Sequence, residues 1–202
     1  MLDAGLPRDE AGGDVTRRVF LFGAAAAIVG AVAWRYSGRR RAVVKAAADN
    51  RPANVAIVEF SGAGERQGVS SVPRIIKSDD EWRTQLGRGV YEIAREGDTE
   101  FAFSGEYWDF EEQGLFRCVC CGTALFGSAA KFNSGTGWPS YFESVAAENI
   151  ETREDSSFGI SRTEVSCRRC DAHLGHVFED GPPPTGLRYC INSASLKFFK
   201  FA

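Results

Sequence analysis

Several things are scarce in this chain, and each scarcity narrows its function. Only two of the 202 residues are histidine, and no methionine follows Met1. An imidazole acid or base, if the chemistry needs one, must therefore come from His173 or His176. Lysine plus arginine (24) does not exceed aspartate plus glutamate (27), which leaves a net charge of −3 and a pI near 5.5. That balance argues against a nucleic-acid binder, which carries a basic patch or stripe. Six cysteines are too few for a disulfide scaffold of this length. No apolar run reaches the roughly 20 residues of a membrane-spanning helix. The sequence has no glycine-rich phosphate loop, and nothing repeats beyond paired cysteine motifs. With 44% hydrophobic and 25% charged residues, the composition suits one globular domain plus extra segments.

The N-terminus is organised around Thr16-Arg17-Arg18-Val19-Phe20-Leu21, twin arginines directly before an apolar stretch that runs from Val19 to Trp34. That stretch has the length of a signal h-region and ends in the small-x-small pattern Ala31-Val32-Ala33. The whole resembles a twin-arginine export signal. Arg35, Arg39, Arg40, Arg41 and Lys45 on its far side suit an uncleaved anchor equally well. Export across a bacterial inner membrane is expected, with release or anchoring left open.

The chain divides on this reading into residues 1–34 as signal or anchor, 35–71 as linker and 72–202 as the functional domain. Within the linker, Val55 to Phe60 reads as a strand followed by a Gly/Ser-rich loop through Ser71. Ser78-Asp79-Asp80-Glu81 is a capping box that starts a short helix ending near Gly87. A second helical stretch, Tyr91 to Arg95, stops at Gly97. The intervening Gly87-Arg88-Gly89 affects only local capping. From Phe101 onward glycine and aromatics dominate, which predicts short strands and turns. The fold class is mainly β with a few short helices.

Cys118-Val119-Cys120-Cys121-Gly122 and Cys167-Arg168-Arg169-Cys170 supply two Cys-x-x-Cys pairs, Cys118 with Cys121 and Cys167 with Cys170. Two tight turns that each aim two sulfurs at one ion form a four-thiolate site, typical of structural zinc. A disulfide within each pair is the alternative for an exported protein. Cys120 is spare, with no part assigned to it. The sixth cysteine lies in Gly186-Leu187-Arg188-Tyr189-Cys190-Ile191-Asn192-Ser193. Read as a strand, Leu187, Tyr189 and Ile191 take a core face, and Arg188, Cys190 and Asn192 the other. A cation and an amide flanking the thiol favour thiolate. An isolated cysteine is ordinarily a small buried hydrophobe, but here both histidines lie nearby in His173-Leu174-Gly175-His176. Ser134-Gly135-Thr136-Gly137-Trp138-Pro139-Ser140 adds a glycine-rich turn that fixes an indole.

Together these runs, with Phe103-Ser104-Gly105-Glu106-Tyr107-Trp108, Arg162-Thr163-Glu164-Val165 and His176-Val177-Phe178-Glu179-Asp180-Gly181, resemble the B-type methionine sulfoxide reductases across residues 72–202. The resemblance implies two small antiparallel sheets with one zinc held by Cys118, Cys121, Cys167 and Cys170, away from the active site. It implies Cys190 as nucleophile on peptidyl methionine (R)-sulfoxide, with a sulfenic acid left behind. Trp138 receives the substrate methyl group, and Arg188 belongs to the binding site. His173, His176 and Asn192 surround the sulfoxide oxygen, with His176 as the acid near neutral pH. Many members of the family carry a resolving cysteine where this chain has Thr136. A single-cysteine cycle is therefore expected, completed by a thioredoxin-like protein or a small thiol, in a monomer that repairs oxidised exported proteins. Two other readings stay open from the residues alone. One is a cysteine hydrolase built on Cys190, His176 and Asn192; the other is a non-catalytic zinc module.

Overall fold

The computed structural model describes residues 51–156 and 161–201. The twin-arginine and apolar stretches lie outside the described residues. Among the described residues no helix is long and apolar enough to cross a membrane. Pro52 onward forms one unit by its internal contacts.

The architecture is mainly β, and every strand pairing is antiparallel. Strands β1 (Asn54–Phe60) and β2 (Arg66–Pro73) make a hairpin. Two short helices follow, α1 (Asp79–Leu86) and α2 (Arg88–Glu96). A three-stranded sheet has the order β11-β3-β4, from β3 (Gly114–Cys118), β4 (Ala124–Gly127) and β11 (Leu196–Lys200). A six-stranded sheet has the order β5-β6-β10-β9-β8-β7. Its members are β5 (Lys131–Phe132), β6 (Ser140–Tyr141), β7 (Ile150–Asp155), β8 (Arg162–Cys167), β9 (His173–Phe178) and β10 (Arg188–Ile191).

The capping box forms as the sequence predicts. The backbone N–H of Ser78 donates to Glu81 Oε2 at 2.8 Å, and Ser78 Oγ accepts from the Glu81 N–H at 3.4 Å. Gly87 ends α1 and starts α2 without a side-chain cap, and Gly97 closes α2 in the left-handed conformation. The helices bury Trp82, Tyr91 and Ala94. Between the two larger sheets, Phe116 and Phe126 meet Tyr141. Phe126 stacks on Tyr141 at 4.5 Å, and Phe116 approaches the same ring edge-on at 5.4 Å. Ile191 is fully buried and Tyr189 leans on Phe126, so the core face of β10 is the one the alternation predicts.

One expectation fails. The supposed Gly/Ser-rich loop is strand β2 from Arg66, paired with β1 through Pro73, so a hairpin stands beside the two implied sheets. The physical reason lies far along the chain. Asn149, fully buried, accepts from the Val58 N–H at 2.7 Å and donates Nδ2–H to the carbonyls of Val58 and Ala124 at 2.9 and 2.8 Å. One amide thus sews β1 to the start of β4, a link invisible in the local sequence of β2.

Candidate active site

Strand register builds the site. Cys190 on β10 lies directly opposite His176 on β9 and Ser140 on β6, and His176 lies opposite Glu164 on β8. Residues directly opposite in antiparallel pairs share a sheet face. A row Ser140, Cys190, His176, Glu164 therefore crosses four strands on the face away from Tyr189.

Each histidine is backed by a carboxylate that the sequence reading missed. His173 Nδ1 sits 2.7 Å from Glu164 Oε1, and His176 Nε2 sits 2.9 Å from Asp155 Oδ2, which also accepts from Arg162 at 2.9 Å. The two imidazoles lie edge to face, 5.5 Å apart. The hydrogen bond from His173 holds the Glu164 carboxyl below its usual range. Burial pushes His176 down, with the Asp155 hydrogen bond opposing. His176, ordinarily near 6.5, is thus mainly neutral at neutral pH. His173 Nε2 is buried with no hydrogen-bond partner among the described residues.

The cation beside Cys190 is itself paired. Arg188 gives its guanidinium to Asp180 in a two-pronged pair at 2.8 and 2.9 Å and stacks on Phe178 at 4.5 Å. Burial raises the Cys190 thiol above its ordinary value; Arg188 and Thr136 pull it back only in part, and Asp180 adds to the rise. Sγ lies 4.0 Å from Thr136 Oγ1, so position 136 faces the Cys190 thiol.

Asn192 lies directly after the end of β10. It is buried, its Oδ1 accepting from the Glu100 N–H at 3.1 Å and its Nδ2–H donating to the Leu174 carbonyl at 3.2 Å. It does not orient His176, as the hydrolase reading requires; Asp155 does. Trp138 is half-buried, with its indole N–H on the Glu100 carbonyl at 3.1 Å. Glu100 carries no motif that singles it out among 27 acidic residues.

The two cysteine pairs adopt one conformation. The N–H of Gly122 donates to the Cys118 carbonyl at 2.8 Å, and that of Asp171 to the Cys167 carbonyl at 2.9 Å. Gly122 and Asp171 both take left-handed φ, 76° and 55°. The four sulfurs lie within 4.8 Å of one another, with Cys118–Cys170 at 3.6 Å and Cys121–Cys167 at 3.5 Å. Four sulfurs each about 2.3 Å from one ion stand about 3.8 Å apart, whereas a disulfide needs about 2.05 Å. All six cysteines are free, so the donor set fits a metal and not the disulfide alternative. Cys120 is buried in the core beside this site and is not one of the four clustered thiols.

Residues 86–200 match the SelR domain family model. The chain is 58% identical over 125 residues to a peptide methionine sulfoxide reductase MsrB of Herminiimonas arsenicoxydans, covering 62% of this chain and 91% of that protein. It is 60% identical over 124 residues to the protein of the same name from Pseudomonas aeruginosa, covering 61% and 94%, and 58% identical over 122 residues to that of Thiobacillus denitrificans, covering 60% and 92%. With its register row, its paired histidines and its four-thiolate cluster in the matched region, the chain belongs to the SelR-domain family, the B-type methionine sulfoxide reductases.

Proposed function

We propose that this enzyme reduces the R epimer of peptidyl methionine sulfoxide, with Cys190 as nucleophile. The carrying observation is the register that sets Cys190 opposite His176 on one sheet face. Trp138, its ring fixed by the Glu100 carbonyl, forms the aromatic wall for the substrate methyl group, and Arg188 stays in the site through Asp180. The Cys190 thiolate attacks the sulfoxide sulfur while His176, steadied by Asp155, protonates the oxygen; His173, on Glu164, lies behind it. Asn192, tied to Glu100 and Leu174 at the end of β10, completes the polar surroundings of the oxygen.

In balance, sulfoxide and thiol give thioether and sulfenic acid: sulfur in the substrate is reduced by two electrons and Cys190 oxidised by two. A thiol of an external reductant, thioredoxin-like or small, then forms a mixed disulfide and releases water. A second thiol frees Cys190 and carries away the disulfide.

Cys118, Cys121, Cys167 and Cys170 hold zinc in this reading, which supplies folding energy and no chemical step. Export by the twin-arginine route rests on Arg17 and Arg18 before the apolar run, and points to oxidised exported proteins as substrates. Incubation with separated R and S sulfoxide peptides and dithiothreitol tests the core of the reading. Methionine should form from R only and be lost in Cys190→Ser; equal turnover of S, or an active Cys190→Ser protein, refutes it.

A further inference from the structure

Glu100 uses every polar group it has on two parts of the site, the Trp138 indole and residues 192–194. Its carbonyl takes the Trp138 indole N–H at 3.1 Å, and its N–H donates to Asn192 Oδ1 at 3.1 Å. Its carboxylate accepts from the backbone N–H groups of Ser193 and Ala194 at 2.6 and 3.0 Å, one oxygen each. The carboxylate therefore clamps residue 100 to the segment directly after the nucleophile strand, and the backbone of residue 100 carries the indole. A neighbouring glycine makes room for the clamp. A Cβ on Gly105 would meet Glu100 Oε1 at 2.5 Å and strike Ser193 Oγ. Ser193 Oγ itself accepts from the Tyr107 N–H at 3.1 Å, so it has little freedom to give way. Further along, the Phe103 N–H donates to the Gly137 carbonyl at 2.8 Å, tying the Glu100 loop to the turn that bears Trp138.

The geometry points to Glu100 as the positioning residue that fixes the aromatic wall relative to Cys190, and so sets how strictly the site accepts an S-methyl group over a larger S-alkyl group. This rests on the proposed reaction, in which Trp138 receives that methyl. The carboxylate touches no reacting atom. Its effect runs through distance: two charge-assisted hydrogen bonds hold the wall in one place, and a loosened wall admits one more methylene.

The test compares the full chain with Glu100→Ala, Glu100→Gln and Gly105→Ala, each loaded with zinc and driven by dithiothreitol. Two peptides differ only in carrying methionine (R)-sulfoxide or its S-ethyl homologue. In Glu100→Ala, KM for the methyl substrate should rise about fivefold with kcat within about twofold, and the methyl-to-ethyl ratio of kcat/KM should fall by a similar factor. Gly105→Ala should move the ratio the same way. Adding Trp138→Phe to Glu100→Ala should give no further fall, because both changes remove the same wall. Glu100→Gln serves where the alanine variant does not fold. It keeps one acceptor but turns an NH2 towards a backbone N–H, and should still lower the ratio about twofold. A soluble, zinc-replete Glu100→Gln with the parent's ratio overturns the inference, as does a loss confined to kcat that tracks melting temperature. A parent chain inactive on the R peptide instead sinks the reaction itself.

Discussion

Cys190 shows how burial and charge compete at a single atom. Desolvation raises the thiol, Arg188 and Thr136 lower it, and Asp180 raises it by cancelling the guanidinium. Asp180→Asn should therefore let the thiol ionise at lower pH and speed iodoacetamide capture of Cys190 near pH 7.5. Arg188→Met should slow it. Unchanged alkylation profiles in both would show that the ion pair does not govern the thiol. The pH dependence of kcat/KM follows from the same directions. On the proposed reaction the reactive pair is a Cys190 thiolate with a protonated His176, while the dominant pair at neutrality is thiol with neutral imidazole. The reactive fraction stays constant between the two ionisations, falls on the acid side of the lowered His176, and falls on the alkaline side of the raised Cys190. The profile should be flat across neutrality, with its acid limb below the ordinary imidazole range and its alkaline limb above the ordinary thiol range. Because the Asp155 hydrogen bond opposes the lowering of His176, Asp155→Asn should shift the acid limb to still lower pH. A limb that stays put would separate His176 from the proton transfer.

At the scale of elements, the parts legible in the sequence are those whose cause is local. The capping box and Gly97 bracket the helices, the Cys-x-x-Cys turns announce themselves, and alternation in β10 assigns the Cys190 face correctly. Strand β2 was not legible because it pairs with β1, which Asn149, about 90 positions away, holds in place. The carboxylates behind the histidines were hidden for the same reason, since register alone brings Glu164 to the row holding His176 and Cys190. Two substitutions test such non-local supports. Asn149→Ala leaves three buried backbone groups unpaired and should cost about 3 kcal/mol or more in urea unfolding. A loss below about 1 kcal/mol would mean the hairpin is held by its apolar residues alone. In the second cysteine turn, Asp171 takes the left-handed position that Gly122 takes in the first, and its carboxylate pairs with the buried Arg74. Asp171→Gly relieves about 1 kcal/mol of backbone strain but strands a buried cation, which costs more. Net destabilisation by about 2 kcal/mol is expected, and a stabilised variant would show that the ion pair contributes nothing.

Across the whole molecule, the proposed nucleophile lies within β10, and the four-thiolate cluster lies at the turns that leave β3 and β8. Cys118 and Cys121 flank the turn leaving β3, and Cys167 and Cys170 the turn leaving β8, so a metal there joins the three-stranded sheet to the six-stranded one. On the proposed reaction, that division of labour assigns each sulfur its part in the cycle. Four are committed to the cluster, Cys120 is buried beside it, and Thr136 fills the position facing Cys190. One equivalent of R-sulfoxide peptide without reductant should therefore leave a sulfenic acid at Cys190, trapped by dimedone, with no intramolecular disulfide in the mass spectrum. Cys120→Ser should keep zinc, fold and recycling by dithiothreitol, whereas Cys118→Ser should lose metal and cooperative unfolding together. Thr136→Cys is the sharpest case. Its new sulfur would start near the Oγ1 position, 4.0 Å from Cys190 Sγ, within a side-chain rotation of bonding distance. Dimedone capture in that variant should give way to a 136–190 disulfide. A disulfide through Cys120 in the parent chain would instead show that the cluster region opens during turnover and supplies the resolving thiol.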